Sequence, residues 1–181
     1  CDELGFLVMD EIYDEWMLSK NKNENYYSES MAFGASQFFI RDSKSELSAM
    51  IRRDYNHPSI ILWSIGNEIP EQSSVDGSLM AAYLQQICHE EDTTRMVTCA
   101  CDNIMAYPDI RTKREFEEVL DVVGYNYVGR WGRRAETFYD EDRKRYPDRR
   151  FIGTENPGAG GVRGDYQIRD GRTGDYRTVT V

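Results

Sequence analysis

Asp54-Tyr-Asn-His-Pro-Ser-Ile-Ile-Leu-Trp-Ser-Ile-Gly-Asn-Glu68 is the stretch from which the rest of the chain can be read. Ser59 to Ile65 is an almost unbroken apolar run rich in β-branched residues. That pattern belongs to a parallel strand covered on both faces, since a half-exposed strand would alternate apolar and polar side chains. The run stops at Gly66, Asn67 and Glu68, which places an amide and a carboxylate just past the C-terminal end of a buried strand. In barrel and doubly wound α/β folds, chemistry is done at that end. Taken alone, an Asn-Glu pair there is equally what an ordinary polar loop would provide.

The whole stretch is more specific. Asn-His-Pro-Ser, three aliphatic residues, Trp-Ser, two further residues and Asn-Glu closely resembles the acid/base signature of family 2 glycoside hydrolases, which include β-galactosidases, β-glucuronidases and β-mannosidases. The resemblance runs from Cys1 to about Pro157. It implies an α/β fold, a TIM (β/α)8 barrel catalytic domain over residues 1–157, represented by about strands 3 to 7. Residues 158–181 then form a loop or a divergent C-terminal segment. By the same resemblance Glu68 is the general acid/base, and Asn67 bonds the sugar hydroxyl next to the reacting carbon.

A second strand ends in a carboxylate at Arg150-Phe-Ile-Gly-Thr-Glu155, 87 positions after Glu68. It resembles the family's nucleophile strand, so Glu155 is the expected nucleophile. Two further βα units lie between the pair, a spacing that lets the two glutamates face each other across a barrel mouth. Asp10 and Glu11 repeat the motif of polar side chains at a strand's C-terminal end and are candidates for sugar contact. Tyr125 and Tyr127, spaced by two on an extended segment, are expected to share one face. The resemblance gives a tyrosine at this strand end that hydrogen-bonds the nucleophile, and Tyr127 is the better match. Asn126 and Trp131 complete the candidate substrate-binding residues.

In some β-galactosidases a Glu and a His in the loop after Asp10-Glu11 bind magnesium. Glu15 matches the Glu, but Met17 stands at the His position, and a thioether has no affinity for hard Mg²⁺. No metal and no other cofactor is expected. The four cysteines show neither a zinc spacing nor a disulfide framework, and all four are expected to be small buried hydrophobes. The glycine-rich Pro157 to Gly164 stretch fails the G-x-G-x-x-G spacing at Arg163.

Composition narrows the partners. The 181 residues are 40% hydrophobic with a net charge of −10. A globular core is affordable, whereas nucleic acid and an anionic membrane surface are poor partners for so acidic a chain. Apolar runs fall well short of a membrane span, so a soluble chain is expected, with cytoplasm and bacterial periplasm both open; no Asn-X-Ser/Thr sequon occurs, so nothing points to a glycosylated secreted protein. By the resemblance the expected partner is a carbohydrate, and the parent protein is expected to be multidomain and homo-oligomeric.

Ser43 with Glu46 reads as a capping box opening a helix whose stripe is Leu47, Met50 and Ile51. His57, in the turn below the central strand, reads as structural. Further helices are expected around Leu79–Ile87, Lys113–Leu120 and Ala135–Tyr146.

The functional expectation is a retaining β-glycosidase hydrolysing terminal β-D-galactosides, with β-glucuronidase or another β-glycosidase of the family as the alternative. The contrasting class is a non-catalytic fragment or carbohydrate-binding relative, because only five of eight barrel strands are identifiable. Such a piece, studied alone, would leave raw strand edges and is expected to oligomerise or aggregate.

Overall fold

The structure, a computed structural model, describes residues 1–20, 35–104, 111–128 and 137–156, and the backbone of 167–169 and 176–178. Five strands form one sheet in sequence order: β1 (Val8–Glu11), β2 (Ile60–Asn67), β3 (Met96–Cys101), β4 (Val122–Asn126) and β5 (Phe151–Glu155). Every neighbouring pair is parallel. Helices α1 (Ser36–Asp54), α2 (Val75–Glu91), α3 (Arg114–Val119) and α4 (Phe138–Arg145) occupy the four crossovers. Strict βα alternation with sequential parallel pairing is an arc of a (β/α)8 barrel.

β2 is covered on both faces, as its composition requires. Trp63 and Ile65 are fully buried in the main core, where Trp63 Nε1 donates to Asp92 Oδ2 at 3.0 Å. Ile61 is the exception and is exposed.

α1 begins at Ser36, seven residues before the expected capping box. Ser43 therefore lies inside the helix, buried, with its carbonyl accepting from Tyr13 Oη at 2.7 Å. The N-terminus is capped from a distance instead: Glu15, in the loop after β1, accepts the Ser36 N–H at 3.2 Å. An acidic group answering a helix's first N–H groups is favourable, but a cap supplied by another element has no local sequence signature.

α2 starts locally, with Ser74 Oγ accepting the Gly77 N–H at 3.0 Å. Its buried face is Gly77, Ala81, Leu84, Ile87 and Cys88, while Leu79 and Tyr83 point outward. A Cβ at Gly77 would sit 2.0 Å from the Glu71 carbonyl oxygen and 2.6 Å from its carbon. These are backbone atoms of the short 3₁₀ turn that follows β2, and they cannot swing aside. Gly77→Ala is therefore expected to destabilise the full-length protein by about 1 to 3 kcal/mol. Thermal unfolding checks this, and an unchanged midpoint would refute the close approach.

Three cysteines, Cys88, Cys99 and Cys101, are buried, but Cys1 is exposed, correcting the expectation for that residue. It precedes the 3₁₀ turn Asp2–Leu4, none of whose residues is buried. His57 sits below β2 with Nδ1 2.7 Å from Asp2 Oδ2. Within the segment expected to be a loop or a divergent C-terminal piece, β6 (Gln167–Arg169) and β7 (Tyr176–Thr178) pair antiparallel as a separate two-stranded sheet. No described helix is long and apolar enough to cross a membrane.

Candidate active site

Parallel strands bring Asn67, Glu68, Asn126, Tyr127 and Glu155 to the same edge of the sheet, but a regular pleat would not aim them together. Two irregularities do so. Between Ser64 and Asn67 the register of β2 against β3 slips, and the register of β4 against β5 slips between Tyr125 and Asn126. A bulge re-aims the side chains that follow it. Glu68 and Tyr127 then adopt positive φ, 49° and 58°, the only non-glycine residues to do so among those described. Left-handed backbone costs an L-residue roughly 1 to 2 kcal/mol, so surrounding contacts must hold it. The Glu68 N–H donates to Ala100 O and the Tyr127 N–H to Glu155 O, both at 2.8 Å.

Asn126, fully buried, is the hub. Its Nδ2 lies 2.9 Å from Asn67 Oδ1, 3.1 Å from Glu68 Oε1 and 3.2 Å from Glu155 Oε1. Two N–H groups serve three acceptors, so at least one is shared. Its Oδ1 accepts from Thr154 Oγ1 at 2.5 Å. A single nitrogen reaching both glutamates keeps their nearer oxygens within about 6.3 Å of each other. Tyr127 Oη donates to the other Glu155 oxygen, Oε2.

Burial pushes Glu68 above the usual carboxylate range, and the negative charges of Asp102 and Glu155 add to it; the Asn126 amide and Lys20 act the other way. Glu11 is raised by burial first, then by Asp14 and Glu155, against the Ser64 hydroxyl that donates to Glu11 Oε2 at 2.7 Å. Asn67 Nδ2 donates to Asp14 Oδ1 at 3.3 Å, and Lys20 Nζ donates to the same oxygen at 2.6 Å.

Two candidates lie elsewhere. Tyr125 does not share a face with Tyr127: its ring is fully buried against Phe138, Tyr139 and Phe151, and its Oη donates to Asp142 Oδ2 at 2.5 Å on α4. Strand alternation sends Tyr125 to the helix layer, and the positive φ of Tyr127 breaks the period-two relation that would have paired them. Asp10 and Glu11, being neighbours on a strand, face opposite ways. Glu11 stands opposite Ser64, whereas Asp10 stands opposite Trp63 and beside Arg53 and Asp54 at the end of α1. Trp131 lies outside the described residues.

The metal pair does not fit magnesium. Glu15 is buried, and its oxygens accept the backbone N–H groups of Lys20 at 3.0 Å and Ser36 at 3.2 Å, while Met17 packs against the core. Among the described residues no cluster of three or more His, Cys, Asp or Glu is arranged to hold a metal. Sequence reading missed Lys20 and Asp102. Asp102 directly follows β3, so the strand-end rule that found Glu68 would have found it too.

An arc of parallel βα units whose C-terminal edge carries two glutamates on one shared amide defines a class, the barrel proteins with the paired carboxyl groups that glycoside hydrolysis uses. Within it, the chain belongs to glycosyl hydrolase family 2: residues 1–156 match the model of that family's TIM barrel domain. A β-galactosidase of Bacteroides ovatus is 30% identical over 204 aligned residues, covering 95% of this chain and 21% of the relative. A β-glucuronidase of Bacteroides fragilis is 30% identical over 129 residues, 67% of this chain and 16% of the relative. The crystal structure of a family 2 member from Bacteroides cellulosilyticus superposes with a TM-score of 0.68 at 36% identity, over 86% of this chain and 17% of that one. The chain thus spans about a fifth of the length of these proteins.

Proposed function

We propose that the chain forms part of the catalytic barrel of a retaining β-glycosidase acting on terminal β-D-galactosides. The observation that carries this reading is the Asn126 amide lying within hydrogen-bond reach of both Glu68 and Glu155. Retaining enzymes hold their two carboxyl groups about 5 to 5.5 Å apart, and inverting enzymes about 6.5 to 9.5 Å to admit a water. The nearer oxygens of the two glutamates, held within about 6.3 Å of each other through Asn126, are compatible with the retaining spacing.

In the first step a Glu155 oxygen attacks the anomeric carbon as the glycosidic C–O bond breaks, and Glu68 gives its proton to the departing oxygen. The sugar is then an ester of Glu155, and Glu68 is a carboxylate. In the second step Glu68 takes a proton from water, whose oxygen displaces Glu155 from the anomeric carbon, restoring both groups. Tyr127 holds Glu155 at Oε2, which leaves Oε1 as the attacking oxygen once Asn126 yields it to substrate. Tyr127→Phe is expected to lower kcat for aryl β-galactosides by about 10- to 100-fold, the loss of one hydrogen bond to a charged group; steady-state kinetics on the full-length protein checks this.

The galactosyl preference is supported by the β-galactosidase of Bacteroides ovatus, which aligns with 95% of the chain. A second reading, glucuronide hydrolysis, is favoured by the equally identical β-glucuronidase of Bacteroides fragilis over two thirds of it. Treating the full-length protein with fluorinated galactosyl and glucuronyl inactivators, followed by peptide mapping, separates them. A galactosyl adduct on Glu155 supports the first reading and a glucuronyl adduct alone supports the second. Turnover without any label on Glu155 removes it as nucleophile, and a protein that hydrolyses no aryl β-glycoside is a non-catalytic relative.

A further inference from the structure

Asp102 has no part in the reaction as described, yet its carboxylate is held by a buried amide near the site. It directly follows β3, the strand to which the Glu68 backbone N–H is tied through Ala100 O. Its Oδ1 accepts from Gln72 Nε2 at 2.7 Å. Gln72 is 1% exposed, a costly place for an amide. Its Oε1 accepts from Thr112 Oγ1 at 2.7 Å. The Gln72 backbone carbonyl accepts the Lys113 N–H at 2.8 Å, and its N–H donates to Ile69 O at 3.1 Å. Thr112 is 4% exposed. The relay Thr112–Gln72–Asp102 therefore clamps the loop after β2, the segment before α3 and the end of β3 around one carboxylate.

Loop stapling alone needs only the backbone bonds of Gln72 and the Thr112 contact. A buried amide turned so that its N–H faces a carboxylate fixes the position of that group. We propose that Asp102, oriented by Gln72 and Thr112 just past the strand to which the Glu68 backbone is tied, is a positioning residue of this site that acts on the acid Glu68. This rests on the glycosidase reading above. The other groups acting on Glu68 are the Asn126 amide from β4, Glu155 from β5 and Lys20 from the loop after β1. Asp102 and Glu155 favour its protonated form, and Asn126 and Lys20 its ionised form.

The test is the pH dependence of kcat/KM for an aryl β-galactoside, measured on the full-length protein and on Asp102→Asn, Asp102→Glu and Asp102→Ser. Asparagine still presents an oxygen to Gln72, so D102N removes the charge and retains the hydrogen bond. Without that charge Glu68 loses its proton more readily, and the basic limb moves to lower pH by on the order of half a unit to one unit. D102S shows the same displacement with a second neutral side chain, and D102E keeps the limb near that of the parent. A limb that stays in place in the folded neutral variants, even with lowered activity, overturns the inference and leaves only a structural role. A parent protein that hydrolyses no aryl β-glycoside overturns the glycosidase reading and this inference with it.

Discussion

Replacing Glu155 with glycine in the full-length protein is expected to lower kcat/KM for aryl β-galactosides on the order of 10⁴-fold, about 5.4 kcal/mol of transition-state stabilisation. The loss is large because no neighbouring group can substitute. Glu155 is held from two sides, by Tyr127 at Oε2 and by Asn126 at Oε1, so the attacking atom is placed before substrate arrives. Pre-placement of this kind is worth several kcal/mol by itself. Azide admitted into the vacated space is expected to restore turnover and to yield an α-galactosyl azide, since it attacks from the side Glu155 occupied. Undiminished activity in E155G, or a rescue product of β configuration, would remove Glu155 as nucleophile.

Glu68→Ala is expected to behave differently, and the contrast separates the two carboxylates. Removing the proton donor should cost about 10² to 10⁴-fold with an alkyl or sugar leaving group. With an activated nitrophenol, which leaves without protonation, the first step should be nearly unaffected, so that the glycosyl-enzyme accumulates. Azide should now give the β-galactosyl azide. The pH profile carries a signed expectation as well. Burial, Asp102 and Glu155 raise the carboxyl of Glu68, so the acid form survives to higher pH than for an ordinary glutamate and sets the basic limb. In E68A that limb should vanish. A profile with the parent's basic limb intact would assign it to another group.

Much of this arrangement was legible in the residues because the relevant signals are local. The apolar run through Ile65 and its stop at Gly66-Asn67-Glu68 reveal both the strand and the end at which it presents polar groups. The same logic places Glu155 after Phe151 and Ile152. Barrel architecture then follows from alternation of strands and helices, with the resemblance naming the chemistry. Where the reading failed, a distant partner decided the outcome. Glu15 caps α1 across 21 positions and so moved its start from Ser43 back to Ser36.

The sequence by itself determined the five strands, their order and the two glutamates at their ends, because strand length, apolar coverage and termination depend on consecutive residues. Only the tertiary structure decided which polar groups meet. Register slips beside Asn67 and Asn126 and the left-handed backbone at Glu68 and Tyr127 bring Asn67, Glu68, Asn126, Tyr127 and Glu155 into one cluster and send Tyr125 to α4 and Asp10 to the end of α1. A bulge or a positive φ on a non-glycine residue is paid for by hydrogen bonds from neighbouring strands, and those strands are tens of residues away in the chain.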